Sequence, residues 1–118
     1  GHKVQGREEG TQSGSRDRIL EDARAVEDAG VCSFVIEAVP AELATEITTK
    51  AQVPTIGIGA GVNCDGQVLV LHDLLGLSER SFKFAKAYSN LRQISLTAVS
   101  EYVSDVQSRR FPDASNSF

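Results

Sequence analysis

The sequence predicts an α/β fold built on a parallel sheet, and three features carry that prediction. Helical periodicity over residues 15–29 gives way to a short β-branched run at 31–36, and the pair repeats as a helix-length segment and a second short run at 53–58. Both runs are apolar nearly throughout rather than alternating, as strands covered on both faces are. Strands alternating with helices of this length favour βα units over a bundle or a sandwich.

Taken in order, residues 1–14 (GHKVQGREEGTQSG) hold four glycines and no hydrophobic periodicity, and read as a lead-in loop. Ser15 opens a helix whose apolar positions Ile19, Leu20, Ala23 and Val26 share one face, and Gly30 suits its C-terminal end. Val31 to Ile36 forms the first strand, ended by Glu37. Pro40 suits the first turn of a second helix that buries Leu43, Ala44 and Ile47 and runs to about Lys50. The second strand, 53–58, breaks into the glycine-rich loop 59–63. Residues 65–77 suit either structure. Because a parallel neighbour needs a crossover of about a dozen residues, the expectation is a helical turn followed by a strand near 71–74. Residues 82–88 and 91–106 form a closing helical section, with Leu91, Ile94, Ala98, Tyr102 and Val106 near a period of four. The expected organisation is a loop over 1–14, a folded body over 15–111 and a mobile polar tail over 112–118.

Composition narrows the function. With 41% hydrophobic and 24% charged residues, the 118-residue chain reads as a soluble globular protein. Its net charge of −4, with basic residues dispersed, argues against nucleic acid as a partner. No run reaches the ~18 apolar residues of a membrane span, and the N-terminus lacks the apolar core of a secretory signal. Cys32 and Cys64 have no paired spacing; Cys32 reads as a buried, reduced thiol and the compartment as reducing.

In a parallel α/β architecture the C-terminal ends of the strands carry the chemistry. Glu37 sits at one such end, where partial desolvation would raise a carboxyl pKa toward the range useful for proton abstraction. A glutamate there serves equally well as a structural partner of a basic neighbour or of the following helix, and position alone does not separate the two. Gly57, Gly59 and Gly61 lie at the other strand end, where glycines let a ligand approach the backbone or simply let the interior taper. The run fits neither a phosphate-binding loop with its lysine nor a dinucleotide fingerprint. His72 and Asp73 are adjacent and so point in different directions; His72 reads as a hydrogen-bonded structural histidine. Asp65 is a formal metal-ligand candidate, but no HxH, HExxH or paired-cysteine spacing gives the chain a metal site of its own. Lys3 and Arg7 read as solvated.

Three blocks, HKVQGR at 2–7, VIEAVPAELA at 35–44 and PTIGIGAGVNCDGQVLVLHDLLGL at 54–77, together with RRFPD at 109–113, are similar to the C-terminal half of the ketopantoate hydroxymethyltransferase family. The resemblance implies half of a (β/α)8 TIM barrel of the phosphoenolpyruvate/pyruvate-domain type, which when closed needs ~250 residues. It implies transfer of a hydroxymethyl group from 5,10-methylenetetrahydrofolate to 3-methyl-2-oxobutanoate, giving 2-dehydropantoate in pantothenate biosynthesis. Glu37 matches the family's proton acceptor, and Gly57, Gly59 and Gly61 become lining of the same barrel mouth. A bound Mg2+ is implied, with its ligands in the N-terminal half and none in this chain. Small-molecule substrates, the N-terminal half of the barrel and a homo-oligomer are the implied partners, in the cytoplasm, or in the mitochondrion of a eukaryote. The family usually has cysteine where this sequence has Ala38, and commonly an aromatic residue where it has His2. The alternatives are a non-catalytic truncated paralogue or interaction fragment, and a different barrel whose 57–61 loop binds a phosphorylated metabolite.

Overall fold

The computed structural model describes residues 3–5 and 13–118, and the chain divides into two compact units, Gly1–Leu69 and Val70–Phe118. The first is a parallel α/β unit. Its elements are β1 (Lys3–Gln5), α1 (Ser13–Asp28), β2 (Phe34–Glu37), α2 (Ala41–Lys50), β3 (Thr55–Ile58) and β4 (Gly66–Gln67). The four strands pair in sequential order, all parallel.

Each element follows from its residues. In α1, Ile19 and Ala23 are buried while Arg18, Glu21, Asp22 and Arg24 stay exposed, which is the amphipathic division that holds a surface helix against a sheet. Gly30 stops it at φ +89, a left-handed position that costs glycine little. Pro40 caps α2 from just outside, its carbonyl accepting from the Ala44 N–H, and the helix buries Leu43, Ala44 and Ile47. Arg16 on α1 pairs with Glu46 on α2, which also meets Lys50 one turn on at 2.7 Å.

Both helices cover one face of the sheet. Ile19 and Ala23 join Leu43, Ala44 and Ile47 in one core with Phe34 and Ile36 of β2. Side chains alternate along a strand, and burial alternates with them. Phe34, Ile36, Thr55 and Gly57 are buried, whereas Val35, Glu37, Ile56 and Ile58 are half-buried on the opposite face.

Two sequence expectations for this unit are corrected. Lys3–Gln5, inside the expected 1–14 loop, is a strand paired with β2, and α1 begins at Ser13; a three-residue strand is too short to show a periodicity. The 65–77 stretch runs strand then helix, reversing the expected order. β4 rejoins the sheet after only seven residues, 59–65, because Gly66 stands opposite Ile56 and the chain has only the last part of β3 to retrace. Left-handed Gly59 and Gly61, at φ +64 and +79, make that reversal without a helix.

The second unit holds α3 (Leu71–Leu74) and α4 (Leu91–Gln107). The expected helix at 82–88 does not form. Phe82 and Phe84 stack at 5.5 Å, a pairing that residues two apart on a helix cannot make. The Tyr88 N–H is committed instead to the Leu74 carbonyl, and those of Leu91 and Arg92 to Leu75 and Gly76. Asn90 caps α4 through the Gln93 N–H. The apolar positions spaced near a period of four are open in this chain, with Ile94, Tyr102 and Val106 all exposed. At the C-terminal end, Asp113 accepts from the hydroxyl and amide of Ser115, which holds its carboxyl below the ordinary range. Among the described residues no helix is long and apolar enough to cross a membrane.

Candidate functional site

Three parallel strands end level with one another. Gln5 of β1 lies opposite Glu37 of β2, and Glu37 lies opposite Ile58 of β3, so the C-terminal rim of the sheet is the row 5, 37, 58. Glu37 is half-buried on the face opposite α1 and α2, beside half-buried Val35, Ile56 and Ile58. A carboxylate with branched apolar neighbours, held on a strand end rather than a mobile loop, has the setting of a general base.

Beyond Glu37 the backbone turns sharply. Ala38 adopts φ 52, rare for a residue with a side chain, and its N–H donates to the Ile58 carbonyl at 3.0 Å. Sequence reasoning missed this feature, since nothing about an alanine signals a left-handed backbone. It also missed that Gln5 ends a strand level with Glu37, because the block containing it reads as loop.

The three candidate glycines do separate jobs. A Cβ on Gly57 would come within 2.8 Å of Cys64 Sγ and 3.3 Å of Gln67 Nε2, so its bare Cα makes room for the chain returning through β4. Gly59 turns the chain out of β3 at φ +64. Gly61 turns it again and lies against α2, where a Cβ would meet that of Ala41 at 2.5 Å. Gln67 Nε2 donates to the Gly61 carbonyl at 2.8 Å, and Asn63 Nδ2 to Thr45 Oγ1 at 3.2 Å, fastening the loop.

Asp65 works at the other end of β3. Its Oδ2 accepts from the Thr55 N–H at 2.8 Å and lies 3.3 Å from the Thr55 hydroxyl, which also meets Thr48 Oγ1 at 2.8 Å. Thr55 is fully buried, so the carboxylate satisfies a strand amide that would otherwise lack a partner. Asp65→Ala is expected to cost about 1–3 kcal/mol of stability. Thermal denaturation measures the loss, with faster amide exchange at Thr55 as the local report; Asp65→Asn, which keeps an acceptor, should lose less.

Other candidates fall elsewhere. His72 and Asp73 lie in α3, and no hydrogen bond or ion pair joins their side chains among the described residues. His72 is exposed and accepts or donates no side-chain hydrogen bond there, against the expected structural role, because a four-residue helix has no interior to bury it. Cys32 is exposed rather than buried, since it precedes β2 in the turn after Gly30 instead of lying within the strand. Arg7 lies outside the described residues, as do the side chains of Lys3 and Gln5. No three His, Cys, Asp or Glu side chains converge as a metal site among the described residues. A cleft of about 490 Å³ opens between α1 and α2, lined by Leu20, Arg24, Glu27, Phe34, Ile47 and Lys50. It sits by Phe34, at the opposite end of β2 from Glu37, and does not contain the rim.

The chain is also similar to known proteins. The family described as ketopantoate hydroxymethyltransferase matches residues 1–114. Similar curated proteins, each named 3-methyl-2-oxobutanoate hydroxymethyltransferase, include one from Geobacter metallireducens that is 48% identical over 100% of this chain and 43% of its own length. Another, from Pseudothermotoga lettingae, is 55% identical with the same coverage. A third, from Pyrobaculum aerophilum, is 50% identical over 95% of this chain and 41% of its own. The chain therefore spans less than half the length of these curated relatives. With most of its length matched by one family description and about half its residues shared with these relatives, the chain belongs to the ketopantoate hydroxymethyltransferase family.

Proposed function

We propose that this chain is the C-terminal part of a 3-methyl-2-oxobutanoate hydroxymethyltransferase and that Glu37 is its general base. The observation that carries the reading is the position of Glu37, at a strand C-terminus on the sheet face opposite α1 and α2. Sequential strand order, with both helices on one face, supports a (β/α)8 barrel over a doubly wound sheet, whose order reverses and whose helices lie on both faces. The half-buried Val35, Ile56 and Ile58 are then interior residues of the barrel type, branched and apolar.

In this reading Glu37 takes the proton from the carbon next to the keto group of 3-methyl-2-oxobutanoate. Water adds to the methylene carbon of 5,10-methylenetetrahydrofolate as its two C–N bonds break, its protons leaving on tetrahydrofolate; the deprotonated carbon bonds to the resulting one-carbon unit at the formaldehyde level, and the alkoxide takes up a proton to give 2-dehydropantoate. Gly57, Gly59 and Gly61 shape the loop at the same rim. The family likeness places the Mg2+ ligands in the N-terminal half of the barrel, and the contribution proposed for this chain is the proton transfer. The same family likeness brings a homo-oligomer and a cytosolic setting into the proposal, mitochondrial in a eukaryote.

The test is a chimera in which this chain replaces the matched 43% of the Geobacter metallireducens relative. It should form 2-dehydropantoate from the two substrates. A folded chimera that binds substrate and makes no product would overturn the reading.

A further inference from the structure

We propose that Ala38 is a positioning residue whose left-handed backbone, tied through its N–H to the Ile58 carbonyl, fixes the direction in which Glu37 presents its carboxylate. The proposal rests on Glu37 being the base.

β2 and β3 leave the sheet side by side, since Glu37 is in register with Ile58. Each is followed at once by a left-handed residue, Ala38 at φ 52 and Gly59 at φ 64. At position 59 glycine adopts that conformation freely. At position 38 an L-residue adopts it against the clash of its Cβ with the carbonyl, although glycine would do so without cost. Packing does not explain the alanine, because Ala38 is exposed.

The conformation is fixed from both sides. Upstream, the Ala38 N–H donates to Ile58 at 3.0 Å. Downstream, Val39 is only 3% exposed within the core, and Pro40 begins the cap of α2. Strained backbone persists where its surroundings over-determine it, and such positions gather at functional sites. With φ held positive by these neighbours, a Cβ at position 38 leaves the chain one narrow left-handed well. Glycine would open several, so the last peptide of β2, and with it the Glu37 side chain, could rotate.

The experiment uses the chimera and follows deuterium uptake from solvent into the carbon next to the keto group of 3-methyl-2-oxobutanoate, together with kcat, KM and the melting temperature. Ala38→Gly should raise the melting temperature by about 2–4 °C as strain is relieved. It should also lower deuterium uptake and kcat by roughly ten- to a hundredfold with KM little changed, as misplacing a reacting group does. Ala38→Asn keeps a Cβ in a residue that tolerates the left-handed region, and should restore most of the uptake. Full uptake and kcat in Ala38→Gly, or an Asn variant as slow as the Gly one, would overturn the proposal. Glu37→Gln separates the two ideas. If it exchanges normally, the base assignment fails and the role of Ala38 fails with it; if it abolishes exchange while Ala38→Gly has no effect, only the positioning role is lost.

Discussion

Glu37→Gln in the chimera is expected to lower kcat by roughly 10²–10⁴-fold, the usual contribution of a positioned general base, with KM changed by no more than a few-fold. Glutamine matches the shape of glutamate and keeps a hydrogen-bonding oxygen, but it cannot take up the substrate proton. The backbone of residue 37 would still pair with β1 and β3 through the same register, so the strand end should stay where it is. A loss confined to kcat marks an interaction made in the transition state rather than in substrate binding. Steady-state kinetics and deuterium uptake at the carbon beside the keto group give two independent measures. Equal turnover in wild type and variant would remove Glu37 from the mechanism and return it to the structural role that its position also allows.

Much of this arrangement is legible in the residues. The runs at 31–36 and 53–58 announce buried parallel strands because both are apolar and β-branched, and Gly30 and Pro40 mark where one helix stops and the next begins. Glu37 stands out as the ionisable residue that ends such a run. What escapes sequence reading are features set by partners distant in the chain. Lys3–Gln5 becomes a strand through its pairing with β2, not through any pattern of its own. β4 defeats a crossover rule that assumes full-length neighbours, since it rejoins β3 near the end it has just left. Asp65 has the chemistry of a metal ligand, and only the fold reveals that its carboxylate is committed to the Thr55 amide. α4 shows the limit from the other side. Its period is legible, but Ile94 and Tyr102 remain exposed in this chain, so periodicity identifies a helix without identifying what covers it. Ala38 is the plainest case, because a positive φ at alanine is imposed by its neighbours.

Gly61→Ala is expected to destabilise the α/β unit by about 2–5 kcal/mol, a left-handed penalty of about 1–2 added to an overpacking cost of about 1–3. Both terms have a visible source. Gly61 sits at φ +79, and a Cβ there would lie 2.5 Å from Ala41 Cβ and 3.0 Å from Ala41 Cα. The obstacle includes backbone at the first residue of α2, which a rotamer change cannot clear. Either the loop at 59–63 lifts or the start of α2 shifts, and Pro40, which caps that helix, lies three residues after Glu37. Gly57→Ala provides a contrast. Its nearest obstruction is Cys64 Sγ at 2.8 Å, the end of a side chain, so pairing it with Cys64→Ala should recover part of the lost stability, whereas no truncation of Ala41 short of glycine could relieve Gly61→Ala. Thermal denaturation of the chimera ranks the variants. A Gly61→Ala protein that melts with wild type yet shows a raised KM would mean that the loop has room for a Cβ and that Gly61 serves the ligand; a lowered melting temperature with KM unchanged would make its absence of a side chain a requirement of packing against α2.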